Sequence, residues 1–259
     1  MSHYFTDNRQ LPQNRKEISF RFSGFIIPLI TDNGVFCKSE VDFGSYVLLK
    51  TIKEEPLGDH ILDLGCGYGW HCKFAVEQGA RQVLGIDLSQ KMIEEAKRRN
   101  DGEGILYRVC GIEEYEYPEA AWDCVVSNLA LHYIEDLNAV FENVHRTLKQ
   151  DGIFLFNIEH PVFTAGVGQD WAYGKDGTPL YWPIDQYFMP GERITHFLGC
   201  EVRKQHHTLT QILMGLLHNG FALEAVEEAE PSAEMLDIPG MRDELRRPMM
   251  LLVRARAAH

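Results

Sequence analysis

Ile61-Leu62-Asp63-Leu64 leads directly into Gly65-Cys66-Gly67-Tyr68-Gly69-Trp70, and a second apolar run, Leu84-Gly85-Ile86, ends in Asp87. A short apolar run bounded in this way reads as a buried strand, and alternating glycines let the backbone turn sharply and approach a ligand closely. An acid about 20 residues beyond such a turn, at the end of the next strand, can accept hydrogen bonds from both ribose hydroxyls of a nucleoside. The pattern therefore predicts an α/β protein with a nucleoside cofactor at its first strand-to-helix turn. The same glycines can also serve a tight connection alone. A dinucleotide fingerprint spaces its glycines as GxGxxG; here the third glycine comes one residue early and bulky Trp70 follows, which disfavours a nicotinamide oxidoreductase.

The rest of the chain extends this reading. Ile18, Phe20 and Phe22, then Phe25, Ile27 and Leu29, alternate with other residues across Gly24 and predict a β-hairpin, and Val41 to Ile52 reads as a helix. From residue 60 strands and helices alternate, which argues for a parallel sheet covered on both faces. Strands are predicted at His60–Leu64, Gln82–Ile86, Ile105–Val109, Trp122–Ser127 and Ile153–Ile158. The helices between them are Trp70 to Gln78, a Ser89-capped helix to Arg99, and one whose apolar face is Leu137, Val140, Phe141, Val144 and Leu148. Residues 160–200 lose the rhythm and gather Trp171, Tyr173, Tyr181, Trp182, Tyr187 and Phe188, which fits a structured insertion over the site better than a linker. A helix near Thr210 to His218 and strands near Phe221 to Glu227 and Met249 to Ala255 follow. This gives an appendage over 1–58 and a cofactor domain over 59–259.

A formal net charge of -13 with dispersed basic residues counts against a nucleic-acid substrate. No apolar run is long enough to span a bilayer and the first residues lack a signal peptide's pattern, so a soluble cytoplasmic protein is expected. The cysteines, at 37, 66, 72, 110, 124 and 200, form no CxxC pair and read as reduced, packed thiols.

The GxGxG form resembles motif I of the class I methyltransferases that use S-adenosylmethionine. From about residue 62 to the end the chain resembles bacterial members of the type 11 kind, through residues 63–71, Ser127-Asn128-Leu129-Ala130-Leu131-His132-Tyr133-Ile134, Glu159-His160-Pro161 and Arg246-Arg247-Pro248. Where those relatives usually have Tyr-His-Arg-Thr, this chain has Gln205-His206-His207-Thr208. The resemblance implies a doubly wound, seven-stranded, mostly parallel Rossmann-like sheet, with the hairpin and insertion added. It implies a cofactor site of Asp63, Gly65, Cys66, Gly67, Asp87, Leu88, Met92, Ile112, Glu113 and Ser127, with Asp87 on the ribose. Met92 is equally readable as a core residue. Many relatives carry an acid at the position of Gly111, so the adenine contact falls here to Glu113, to the backbone at Ile112, or is not made at all.

The first 60 or so residues resemble instead the N-terminal segment of bacterial small-subunit ribosomal RNA guanine-N2 methyltransferases, through Tyr4-Phe5-Thr6, the hairpin, residues 31–36 and Val41-Asp42-Phe43-Gly44. Those enzymes hold the target amine with Asn-Pro-Pro-aromatic after strand four, where this chain has Asn128-Leu129-Ala130. The mixture suggests a junction of two ancestries near residues 62–69, which homologues all sharing the same first 60 residues would argue against.

Methyl transfer from a sulfonium needs little beyond alignment of the acceptor, with removal of a proton only where one must leave. In an open α/β sheet the site lies beyond the carboxyl ends of the strands, which points to His132 and His160 as alternative bases and Glu159 as the group that orients one of them. Tyr133 and Trp171 are candidates for an aromatic wall around the acceptor, with ordinary packing as the alternative. Neighbours on a strand face opposite ways, so of His206 and His207 only one is expected in the site, and a metal centre is not expected. The reading is a methyltransferase acting on a small molecule, possible as a homo-oligomer through the hairpin's free edge. Its rivals are RNA guanine methylation and a non-catalytic nucleoside-binding protein of the same fold.

Overall fold

The computed structural model describes residues 16–22, 25–31, 57–197 and 200–258. The helix expected over 41–52 lies outside them. Strands β1 (Lys16–Phe22) and β2 (Phe25–Thr31) pair antiparallel from Lys16↔Thr31 to Phe22↔Phe25 as a separate two-stranded sheet, the hairpin expected from the alternation.

The main sheet is built from β3 (His60–Leu64), β4 (Gln82–Asp87), β5 (Ile105–Val109), β6 (Trp122–Asn128), β7 (Leu148–Glu159), β12 (Phe221–Ala229) and β13 (Met250–Ala257). Its order is β12-β13-β7-β6-β3-β4-β5. The five strands from β3 to β7 are mutually parallel, while β13 runs antiparallel to β7 and β12 antiparallel to β13. The chain winds outward from β3 in one direction through β4 and β5, then crosses to β6 and β7 on the other side. The crevice at the carboxyl ends of β3 and β6 is therefore the topological switch point where open α/β sheets bind ligands.

Alternate residues of the strands feed two cores. Leu62, Leu64, Phe154 and Phe156 join Phe141 and Val144 of helix α3 (Leu137–Thr147) and Leu216 of α5 (Leu209–His218) on one face. Ile61, Val83, Cys124, Val126 and Leu155 join Cys72 and Phe74 of α1 (Trp70–Glu77) and Ile93 of α2 (Gln90–Arg99) on the other. The Ser89 hydroxyl caps α2 as expected, accepting from the Met92 N–H, and the structure adds two further caps: the Asp136 carboxylate accepts from the Ala139 N–H, and Thr208 forms a reciprocal capping box with Gln211.

One boundary differs from the sequence reading. Asp151-Gly152 does not separate a helix from a strand beginning at Ile153. The strand begins at Leu148, paired with Trp122, and the register then shifts before Cys124 meets Ile153. Asp151 takes a φ of 61°, so the two turn-forming residues make an irregularity inside the strand.

Between β7 and α5 the chain forms a short helix α4 (Pro161–Thr164), a two-stranded piece of β8 (Ala172–Tyr173) with β9 (Pro179–Tyr181), and a hairpin of β10 (Gly191–Phe197) with β11 (Cys200–His206). The structured part outside the main sheet thus continues past residue 200.

Candidate functional site

The glycine turn is built as a cradle. The N–H groups of Gly65 and Cys66 both donate to the Ile86 carbonyl at 2.9 Å, which draws the turn against the end of β4. Gly65, Gly67 and Gly69 have φ of 75°, 53° and 79°, a region that glycine alone enters freely. A Cβ on Gly65 would overlap the Ala130 Cβ, and one on Gly69 would overlap the Tyr107 ring, whereas one on Gly67 would meet nothing within 4 Å. Behind the turn, the Tyr107 hydroxyl donates to the Gly69 and Asn100 carbonyls at 3.1 and 2.9 Å, and the Asn100 amide to the Tyr68 carbonyl at 2.8 Å.

Asp87 ends β4 facing this turn. Its carboxylate accepts from the Gly67 N–H at 2.9 Å and the Ser89 N–H at 2.8 Å. Burial raises its pKa while those two N–H groups pull it down. Leu88 beside it is 62% exposed, and its Cδ1 lies close to where a Cβ on Gly111 would stand. Ile112 is buried near Gly65, and its carbonyl is taken by the Tyr117 hydroxyl at 2.9 Å. Glu113 is exposed and Met92 half-buried.

Beneath the turn, Asp63 is fully buried in the phase of Ile61. Its Oδ2 accepts from the Cys72 thiol at 3.2 Å, its Oδ1 has no partner, and burial pushes its pKa up to about 7. Cys66 and Cys72 stand together against Gly85, where an added Cβ would lie 2.9 Å from either sulfur; Cys66, Cys72, Cys110 and Cys124 are all free thiols. Ser127 is fully buried and donates to the Leu64 carbonyl at 2.8 Å, so its hydroxyl ties β6 to the end of β3.

A second cluster lies beyond the ends of β6 and β7. His132, on the 3₁₀ turn Leu131–Tyr133, is buried with its Nε2 3.8 Å from Glu159 Oε1. His132 Nδ1 and Glu159 Oε2 are buried without partners. The Tyr133 ring stands 4.3 Å from the imidazole. Lys204 reaches in from β11, its Nζ 2.5 Å from Glu159 Oε1 and 3.4 Å from Gln169 Oε1.

The other sequence candidates are drawn elsewhere. His160 faces away from His132: its Nδ1 accepts from the Val162 N–H at 3.0 Å, capping α4, and its Nε2 lies 2.9 Å from Glu228 Oε1. His206 is fully buried with Nδ1 2.6 Å from the Thr164 hydroxyl and Nε2 2.8 Å from the Tyr187 carbonyl, so both ring nitrogens serve the insertion's packing. His207 Nε2 lies 2.9 Å from the Ile134 carbonyl. Trp171 packs on Trp182 and beneath Arg246 and Arg247 rather than beside Tyr133. Among the described residues no group of three or more His, Cys, Asp or Glu side chains is arranged to hold a metal ion, and no helix is long and apolar enough to cross a membrane.

Sequence reasoning missed Lys204 and Gln169. The available signal was phase: Val202, Lys204 and His206 are buried on β11 while Arg203 is exposed, so a lysine occupies an inward position of an alternating strand.

An open cradle at the switch point, an acid at the end of the next strand and a buried polar cluster beside them fit a sulfonium nucleoside, and the chain belongs to the class I S-adenosylmethionine-dependent methyltransferases. The methyltransferase domain family matches residues 62–156. A solved structure from Listeria monocytogenes, assigned as an S-adenosylmethionine-dependent methyltransferase, is 45% identical with a TM-score of 0.79, covering 83% of this chain and 97% of its own. An S-adenosylmethionine-dependent methyltransferase from Mesorhizobium loti is 39% identical with a TM-score of 0.75, covering 83% and 98%. The malonyl-[acyl-carrier protein] O-methyltransferase of Serratia marcescens is 28% identical over 63% of this chain and 67% of its own length. The protein is thus an enzyme with S-adenosylmethionine as its cofactor.

Proposed function

We propose that the enzyme methylates a hydroxyl or N–H group of a small molecule bound between the glycine turn and the insertion, with His132 as the proton acceptor. The observation that carries this reading is the unpartnered, buried Nδ1 of His132. Burial pushes this imidazole down to about 4, with Glu159 pulling up and Lys204 pushing down, so it is a neutral base at physiological pH. A proton on Nε2, the nitrogen facing Glu159, leaves the Nδ1 lone pair open.

On this reading Asp87 holds the ribose, Gly65 to Gly67 line the methionine portion, and Leu88, Met92 and the backbone at Ile112 border the adenine. The bound cofactor supplies a sulfonium methyl group whose carbon–sulfur bond breaks, with its electron pair going to sulfur, as the acceptor's lone pair forms the new bond. His132 Nδ1 takes the acceptor's proton, and the imidazolium that results faces the Glu159 carboxylate. The formal charge of -13 supports a small acceptor over a nucleic acid, as does a curated relative named for a malonyl-carrier substrate.

The test is transfer of labelled methyl from S-adenosylmethionine to matched panels of hydroxy, amino and carboxylic compounds, with wild type and His132→Asn. Turnover of hydroxyl or N–H compounds that falls at least about 100-fold in the variant, with S-adenosylhomocysteine binding unchanged, supports the reading. Turnover that His132→Asn leaves intact rejects it.

A further inference from the structure

Among the described residues, Lys204 is the one buried cation that the insertion brings against a core carboxylate at this site. It comes from β11, outside the main sheet, and its Nζ sits 2.5 Å from the same Glu159 oxygen that faces His132 Nε2 at 3.8 Å. Lys204 and Glu159 are both at least nine-tenths buried, with side-chain exposures of 5% and 7%. An uncompensated carboxylate this near an imidazole favours the imidazolium, which cannot accept a proton.

We propose that Lys204 is a positioning residue of the methyl-transfer reaction: by holding Glu159 it fixes the carboxylate that faces His132 Nε2, which keeps the imidazole proton on that nitrogen and the Nδ1 lone pair for the acceptor. The proposal rests on the reading of His132 as the proton acceptor. Among the described residues, the charged groups facing His132 are Glu159 from β7 and Lys204 from β11. Its own turn adds Tyr133, Gln169 from the insertion touches the Lys204 ammonium, and His207 bonds to the nearby Ile134 carbonyl. With the imidazole neutral, the Lys204 and Glu159 charges offset each other. After proton transfer the Glu159 carboxylate stands 3.8 Å from the imidazolium and offsets part of its charge.

The arrangement also couples the base to the insertion. The Phe163 ring lies 5.7 Å from the Lys204 Nζ, and Gln169, whose oxygen approaches that ammonium, has an unpartnered buried Nε2. The base is therefore tied to the β10–β11 hairpin through the Lys204–Glu159 contact.

The deciding experiment is histidine NMR titration of the whole chain, with His132 assigned by the signal lost in His132→Asn. Lys204→Met is expected to raise the His132 pKa by at least one unit, a tenfold gain in proton affinity, and Lys204→Arg to leave it near the wild-type value. Glu159→Gln is expected to lower it, and Lys204→Met with Glu159→Gln to abolish the upward shift. If Lys204→Met does not fold, Glu159→Gln and Lys204→Arg still decide: a His132 pKa unmoved by Glu159→Gln, or moved by Lys204→Arg as far as a full unit upward, overturns the proposal. The acid limb of the transfer rate follows the same shifts where Lys204 acts through His132. Normal titrations with transfer still lost in His132→Asn reject Lys204's role alone, whereas full transfer by His132→Asn rejects the reading beneath it.

Discussion

The Arg247 guanidinium lies 4.3 Å from the centre of the Trp182 ring, and the same group stands 4.9 Å from Phe163 and 5.3 Å from Trp171. Its charge is met by Glu244, with Nη1 2.8 Å from Oε2. Phe163 and Trp182 stack face to face at 5.1 Å, and Arg246 holds the carbonyls of Pro179 and Leu180. The Arg246-Arg247-Pro248 run therefore pins the aromatic insertion to the segment ahead of β13.

Arg247→Ala is expected to destabilise the protein by about 2 kcal/mol, since a desolvated cation over aromatic faces contributes on that order. Hydrogen exchange of residues 163–182 is expected to rise while binding of S-adenosylhomocysteine, measured by calorimetry, holds. Unchanged exchange in that segment would show that the stack does not hold the insertion.

Asp87→Ala is expected to weaken S-adenosylhomocysteine binding by at least about tenfold, because the variant loses the carboxylate that both orders the Gly67 and Ser89 N–H groups and faces the cofactor cradle. Calorimetric titration with S-adenosylhomocysteine and NAD checks it, with no binding of NAD expected in either protein.

Gly65 and Gly67 make a paired test of the cradle. Gly65→Ala drives a methyl into Ala130, so it is expected to lower the melting temperature as well as the cofactor affinity. Gly67→Ala meets no protein atom and bears only the strain of its positive φ, on the order of 1 kcal/mol, so the affinity is expected to fall with little change in melting temperature.

Asp63 sets a pH dependence with a defined sign. Its carboxyl is raised by burial from 3.8 to about 7, so between those values the folded protein holds a proton that the unfolded chain has released. Stability is therefore fullest below the lower value and is lost as pH rises toward the upper one. In cofactor-free protein Asp63→Asn is expected to gain on the order of 2 kcal/mol over wild type at pH 8, with the difference vanishing near pH 4. Denaturant melts across that range check it; a gain that grows toward acid would reverse the assignment.

The sequence by itself determined what local periodicity and backbone chemistry can encode. The apolar runs marked β3 to β6, caps at Ser89 and the alternating residues of β1 and β2 were legible because each depends on near neighbours. The Gly65–Gly69 turn and Asp87 were legible together because the order of strand, turn, helix and strand dictates that a parallel sheet brings them side by side. Asp151-Gly152 misled for the same local reason: a turn signal does not say whether the pairing partner Trp122 will carry the strand across it. Only the tertiary structure decided which polar side chains share the cluster beyond the ends of β6 and β7. Glu159 and His160 are adjacent, yet strand alternation and a helix cap send one to His132 and the other to Glu228. Trp171 went to the Arg247 stack, and Lys204 came to Glu159 from 45 residues away. Those pairings depend on where the insertion folds back over the sheet, a long-range packing that residue type and spacing do not specify.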